Sequence, residues 1–471
     1  MITSWSPDRL AHITGGAWHN GVPAMGLCHV EIDHRELDQK GLFVALAGAN
    51  HDGHDFVPDI KETNAALVSR VSEDSHLPQL CVADVFEALH DLARAAMAET
   101  KAAKIAVTGS VGKTSTKQAL HEVLSHFGNC HASKGNYNNH IGAPLSMVRT
   151  PDDAEMIIME MGMNHAGEIS PLSQLFDGDI AIITKIADSH IGHFESVADI
   201  AKAKSEIFDG MSGGVAILPR DDAHFALLAE RAKAHSLKII SFGTSEDADY
   251  QLVSQHPSDE GQELVITSEI TGKTAEIKLG LSAPHHATTA MIIIAVLEAL
   301  SLSVNDAAPA LANLKEVKGR GNQQAIMIGE MQALFIDDSY NAGPASLASA
   351  LSYVASLPQG RKGLVITDML ELGAASDEAH HALIPLIEAA APEVLILVGP
   401  ALAKIQHGLR DAKTCHHFAN ADEACKALAG LLQDCDLIFV KGSNGSGAPQ
   451  LATFLSSYSP STVNKGAAYV S

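Results

Sequence analysis

A lysine set between a glycine and a run of hydroxyl residues carries the most specific chemistry in this sequence. Residues 107–116 read VTGSVGKTST: an apolar strand ends, a loop holds Gly109 and Gly112, and a helix opens at the Thr114-Ser115-Thr116 cluster. Such a loop turns successive backbone N–H groups toward one phosphate. Thr108, Gly109, Ser110, Val111, Gly112, Lys113, Thr114 and Ser115 are therefore the candidate nucleotide contacts. Lys113 would reach the β- and γ-phosphates, and the Thr114 hydroxyl is of the type that binds Mg2+. The full pattern has a glycine at position 107, where Val107 stands. The strand before the loop, the helix after it and the second glycine still point to phosphate binding. The loop alone does not choose between ATP and GTP.

Three further side chains suit a cation beside that loop. Glu160 ends the apolar run Met156–Met159, and His190 follows the run Ile180–Ile186 in the same way. In open α/β sheets, functional residues gather at the carboxyl ends of strands, and a carboxylate there is a natural Mg2+ ligand. An isolated strand-end acid is more often a surface residue, and one histidine among 25 means little; two such residues beside one phosphate loop mean more. Lys204 is the third. Ser196-Val-Ala-Asp199 has the pattern of a capping box opening a helix that runs to about Phe208. Helical spacing places Lys204 inside the stripe formed by Val197, Ile200, Ala201, Ile207 and Phe208, while Lys202 lies off it. Two readings stay open. Either the stem packs and the ammonium snorkels to water, or burial leaves a neutral amine that can add CO2 as a carbamate and become an anionic metal ligand.

The elements that must hold these residues form three stretches. Residues 1 to 100 contain short apolar runs at 42–46 and 65–68 and a helix from Val85 to Thr100. From Lys104 the chain alternates apolar strands with helices, the signature of a parallel sheet covered on both faces. From about 316 the alternation restarts, with runs at 333–337, 363–367, 394–398 and 437–440 that lead into polar or glycine turns. That is a second doubly wound sheet. Units 1–100, 101–315 and 316–471 follow, with no fixed-period repeat and no low-complexity linker.

The length of 471 residues suits three domains, and 46% hydrophobic residues suffice to fill their cores. A net charge of −24 argues against nucleic acid as a partner, since a phosphate backbone needs a basic face. Anionic ligands must then be neutralised locally, by a few cations, helix N-termini and metal. Six cysteines at 28, 81, 130, 415, 425 and 435 form no CxxC pair, which fits a reducing compartment and not a zinc site. No signal sequence opens the chain, and the longest apolar run, near Met291–Leu297, stops at Glu298, too short to span a bilayer. The expectation is a cytoplasmic protein, without membrane insertion.

Further motifs join these in a fixed order: Asp33-His-Arg35, Gly41–Leu46, Asp52–Phe56, Asn138–Pro144, Glu160–His165, Ala201–Ile207, Asp337–Pro344, Asp368–Gly373 and Lys441–Ser443. Together they resemble the Mur ligase family, and within it the members that add D-alanyl-D-alanine; the aspartate–asparagine–proline–arginine signature of the diaminopimelate-adding members is absent. The resemblance implies an α/β protein of three-domain Mur ligase architecture: an N-terminal UDP-sugar-binding domain, a central P-loop parallel-sheet ATPase domain and a C-terminal Rossmann-like domain. It implies ATP and Mg2+ as cofactors, UDP-N-acetylmuramoyl-tripeptide and D-alanyl-D-alanine as substrates, an acyl-phosphate intermediate, and a monomer. It makes Lys204 the carbamylated lysine, and gives Thr114, Glu160, His190 and Lys204 the metal, with Lys113, Lys204 and His190 catalytic. His285, Arg320 and Asp338 fall where the nucleotide is met. Arg35, Asn138, Asn139, Asn341, Lys441 and Ser443 fall on the substrate side. The sequence departs from the family pattern at His286 and Thr289, which stand where asparagines are usual, and at Gly343. No arginine follows Gly447 where a basic residue is common.

Three other readings remain at this level: a Mur-type ligase for another amino acid, such as a folylpolyglutamate synthase; a P-loop regulatory ATPase; and a non-catalytic binding relative.

Overall fold

In the computed structural model, which describes residues 5–48, 51–61, 64–189, 191–358, 360–409 and 414–458, the apolar runs become the inner strands of three sheets. The first sheet has the order Ala17–His19, Gln79–Cys81, Ala65–Val68, Gly41–Val44, His29–Glu31; the first pair is antiparallel and the rest parallel. The central sheet runs Lys273–Leu279, Gly261–Ser268, Tyr250–Ser258, Lys238–Gly243, Val215–Pro219, Ile180–Ile183, Ala103–Thr108, Met156–Glu160, Cys130–Ala132. The third runs Asn322–Ile328, Met331–Asp338, Leu437–Lys441, Lys362–Thr367, Val394–Val398, Thr414–Phe418, with only its first pair antiparallel.

The inner parallel strands are covered on both faces, which explains their unbroken apolar runs. In Ala103–Thr108 and Ile180–Ile183 successive side chains point to opposite sides: Ile105, Val107, Ile180 and Ile182 enter one core, Ala106, Ala181 and Ile183 the other. The helix His286–Ala299 is almost wholly buried, so its apolar character extends all round. Its Glu298 accepts a hydrogen bond from the Tyr250 hydroxyl. No helix among the described residues is long and apolar enough to cross a membrane. The first core continues from the N-terminal sheet into the central one, where the helix Val85–Glu99 packs on Gly142–Val148. At the same junction Arg149 pairs with the buried Glu31 and donates from Nε to the Val30 carbonyl at 2.7 Å.

The structure revises the local expectations at four places. Strand–helix alternation is interrupted by Tyr250–Leu279, three strands paired antiparallel beyond the parallel part of the central sheet. The strand expected over Ile180–Ile186 stops at Ile183, because Thr184 turns its hydroxyl back onto the phosphate loop. The helix after that loop begins at Lys113, one residue before the hydroxyl cluster, with Gly112 as its cap at φ +86°. The helix from Val197 is α-helical to Ser205 and tightens to a 3-10 turn over Glu206–Phe208.

Candidate active site

The phosphate loop is braced from the neighbouring strand. Thr184 donates from Oγ1 to the Val111 carbonyl at 2.6 Å, and Ser110 donates from Oγ to the Ala187 carbonyl at 2.9 Å. Gly109 is required where it stands, since a Cβ there would lie 1.9 Å from the Thr184 hydroxyl and its φ is +152°. Lys113 curls over the loop and donates to the Gly109 carbonyl at 2.7 Å. The protein crowded around its ammonium lowers its pKa by desolvation; Glu160 opposes this and Arg320 adds to it. Thr108 ends the strand fully buried, its hydroxyl given to the Met161 carbonyl at 2.8 Å, so it supports the loop without facing the cleft.

Glu160 lies at the end of its strand, 1% exposed. Asn138 donates from Nδ2 to its Oε1 at 2.7 Å. Its other oxygen, Oε2, has no hydrogen-bond partner among the described residues, and the Lys117 ammonium stands 3.6 Å from it. A buried carboxylate oxygen without a donor is costly unless a cation meets it. Lys204 is also 1% exposed, among Ile200, Ala201, Ala203 and Ser205 on its helix, so its ammonium does not snorkel to solvent. Desolvation pushes its pKa well down, and the charge on Lys113 adds to the effect. Lys202, off the stripe, is exposed and pairs with Asp199 at 2.9 Å. His190 lies outside the described residues.

The opposite wall comes from the C-terminal unit. Arg320 donates from Nη2 to the Thr114 hydroxyl at 2.9 Å while its guanidinium lies over the Tyr340 ring, 4.0 Å from the centroid. Lys441, buried at the end of its strand, donates to Asp338 Oδ2 at 2.7 Å and to the Asn341 carbonyl at 3.1 Å. Ser443 donates from Oγ to the Ala342 carbonyl and accepts from the Leu370 amide at 2.9 Å. The two walls enclose a cleft of about 820 Å³. Ser110 through Ser115, Asn138, Glu160, His285, Arg320, Asp338, Asn341, Lys441 and Ser443 all line it.

Other expected residues lie elsewhere. Asn139 turns its Oδ1 to the amides of Ile141 and Gly142 and so starts the next helix. Arg35 sits exposed on a short 3-10 turn of the N-terminal unit, bidentate to Asp33 and away from this cleft. Lys204 is buried and not on the cleft wall. His286 and Thr289 line the cleft; His286 is 3% exposed, and neither ring nitrogen has a hydrogen-bond partner among the described residues.

Two residues of this region were passed over in the sequence. Lys117 is 2% exposed and hydrogen-bonded to two backbone carbonyls; its i+3 and i+7 neighbours Leu120 and Leu124 mark it by the same stripe argument as Lys204. Tyr340 lies within the Asp337–Pro344 motif but was given no role, because stacking against Arg320 is a tertiary contact.

Residues 107–297 match the Mur ligase middle domain, and residues 324–444 match the Mur ligase, glutamate ligase domain. The UDP-N-acetylmuramoyl-tripeptide--D-alanyl-D-alanine ligase of Rickettsia prowazekii (strain Madrid E) is 34% identical over 421 residues, 88% of this chain and 92% of the relative. The ligase of the same name from Escherichia coli (strain K12) is 34% identical over 433 residues, 90% of this chain and 93% of the relative. Among solved structures, MurF from Acinetobacter baumannii superposes with a TM-score of 0.84 at 30% identity, covering 96% of this chain and 99% of that one.

Proposed function

This chain belongs to the Mur ligase family, and from that premise we propose that it joins D-alanyl-D-alanine by an amide bond to the tripeptide carboxylate of UDP-N-acetylmuramoyl-tripeptide, converting ATP to ADP and phosphate. The observation that carries the reading is a cleft in which the phosphate loop of one unit faces Arg320 and Lys441 of another, within a likeness to ligases of that name that runs nearly the full length of both chains. The acceptor and the amine come from those relatives.

A carboxylate is a poor electrophile, so the acceptor is first phosphorylated. Its oxygen attacks the γ-phosphorus of ATP, ADP leaves, and an acyl phosphate forms. The amine of D-alanyl-D-alanine then attacks the acyl carbon, the bond from that carbon to the phosphate oxygen breaks, and the proton lost from nitrogen leaves with the phosphate. The loop amides and Lys113 hold the charge on the transferring phosphoryl group, and Arg320 reaches the same group from the opposite wall. Catalysis is then mostly positioning and charge stabilisation. With the C-terminal unit closed over the cleft, water is kept from the acyl phosphate.

Mg2+ fits the residues present: Glu160 Oε2 is a buried oxygen lacking a donor, and the Thr114 hydroxyl stands at the start of the loop helix. Magnesium is commonly held by one or two carboxylates together with substrate phosphates, which this set allows. When bound it would screen the phosphate charge. Thr114, Glu160 and His190 would hold it, and Lys204 would join them as a carbamate, its ammonium disfavoured by burial. Asn138, Asn341, Lys441 and Ser443 face the substrate side, and Arg35 and Asn139 belong to it in the wider reading. We place the reaction in the cytoplasm and in a single chain.

The test is phosphate release with UDP-N-acetylmuramoyl-tripeptide, with and without D-alanyl-D-alanine. Release that requires both, with the pentapeptide product seen by mass, supports the proposal. Release independent of the acceptor would favour an ATPase switch, and turnover with a single amino acid another Mur-type ligase.

A further inference from the structure

The Lys117 side chain is buried in the helix Lys113–Leu124, one turn beyond Lys113. Its ammonium donates to the carbonyls of Ser133 at 2.7 Å and Gly135 at 2.6 Å, just past the strand Cys130–Ala132. The same nitrogen lies 3.6 Å from Glu160 Oε2, close enough for an ion pair and too far for a hydrogen bond. The segment it grips leads to Asn138, whose amide holds Glu160 Oε1 at 2.7 Å and whose carbonyl accepts from Gly162 N at 2.8 Å. Ser133 closes the ring, since its Oγ accepts from the Glu160 amide at 3.4 Å.

Glu160 is thus fixed on one oxygen by Asn138 and balanced in charge on the other by Lys117. The two carbonyls satisfy two of the ammonium's donors, and the Glu160 carboxylate supplies the counter-charge that its burial requires. A carboxylate with only structural work would take a hydrogen bond on Oε2. What the pair leaves is an oxygen held in place without a hydrogen bond among the described residues, and so able to meet a second cation.

We propose that Lys117 is a positioning residue of the nucleotide site, which ties the 133–138 segment to the phosphate-loop helix and presents Glu160 Oε2 to the cation that accompanies the nucleotide. This rests on the reading of the cleft as a site for ATP with Mg2+. Lys117 touches neither nucleotide nor substrate in this role; it acts through Glu160 and Asn138. Its effect belongs to the magnesium-dependent part of nucleotide affinity and not to the part made by the loop amides.

The experiment uses the full chain and a non-hydrolysable ATP analogue, with affinity measured by calorimetric titration in excess Mg2+ and again in chelator. The ratio of the two affinities is the magnesium gain. Lys117→Met keeps the packed stem and removes the charge; it should cut the gain by ~10-fold or more, the usual cost of losing a group that orients a metal ligand, and leave the metal-free affinity unchanged. Glu160→Gln should lose the gain similarly, and the double variant should be no worse than Glu160→Gln alone. A Lys117→Met chain with the wild-type gain overturns the proposal, as does a double variant whose losses add.

If Lys117→Met does not fold, Glu160→Gln is compared with the double variant, which leaves no unpaired buried charge. An equal magnesium gain in those two supports the proposal, and a further loss in the double variant overturns it. Because no acceptor or amine is present, a failed ligation assay with the wild-type chain would sink the proposed activity and leave this measurement standing.

Discussion

The Arg320 guanidinium donates a hydrogen bond to the Thr114 hydroxyl at 2.9 Å, joining residues 206 apart in the chain at the mouth of the phosphate loop. This contact places a cation of the C-terminal unit on a hydroxyl in the first turn of the loop helix. Stacking on Tyr340 at 4.0 Å keeps the fork in plane, so the contact is both charged and oriented.

Arg320→Ala should lower kcat by roughly 10²–10³, as removal of one preorganised charge-stabilising donor does. Arg320→Lys should recover little, because a point charge on a flexible stem cannot reproduce a stacked planar fork. Steady-state phosphate release is the check, and a lysine variant with near wild-type kcat would refute the oriented-fork account.

Lys113→Ala should abolish ATP turnover, by at least ~10²-fold, with the far-UV circular dichroism unchanged. Lys113 is the first residue of its helix, and its one hydrogen bond is to a loop carbonyl, so folding loses little. Unaltered phosphate release would show that the loop does not bind the transferred phosphate.

Lys204→Ala should remove ligation and leave a void where the buried side chain stood, into which a small anion can fit. Added formate or acetate should restore part of the rate. Full activity without such additives would rule out the carbamate, and a dead variant with no rescue would count against it.

Arg149→Ala should destabilise the junction of the N-terminal and central units by up to about 3–5 kcal/mol, because the buried Glu31 would keep only His29, at 3.0 Å, as a side-chain partner among the described residues. Replacing both residues by apolar ones of similar size should cost much less. Urea midpoints of the three chains decide this; equal midpoints for wild type and Arg149→Ala would mean that the pair contributes nothing.

The Asp52 carboxyl is lowered to about 2, first by the hydrogen bond from the His54 amide and then by the His54 side chain. The unfolded value of 3.8 is higher, so the unfolded state binds the extra proton as pH falls. The stabilisation by Asp52 is therefore complete above about pH 5 and fades as pH drops through about 2. Asp52→Ala should be less stable than wild type at pH 7, and the gap should close between pH 4 and 2. A gap independent of pH in that range would assign the effect to packing.

The phosphate loop was legible from residues 107–116 because strand, turn and helix start are local, and the positive φ of Gly109 and Gly112 belongs to the turn itself; the close approach of Thr184 to Gly109 was not legible. The parallel strands were legible because burial on both faces needs an unbroken apolar run. Alternating strands such as Gly261–Ser268 were not placed, since alternation shows one buried face and says nothing of which neighbour supplies it.

What the sequence determined by itself, then, is the local chemistry: a phosphate loop, an acid at a strand end, and a lysine in an apolar stripe. A helical stripe shows which side chains share a face, but the neighbouring elements decide whether a lysine at its edge reaches water. Only the tertiary structure therefore decided that Lys204 and Lys117 are both enclosed. The same holds for Arg320 on Thr114, for Lys117 beside Glu160, and for the turning of Asn139 and Arg35 to local partners. These depend on distances across separate elements, set by how three sheets and their helices pack, and sequence separation carries no such distance.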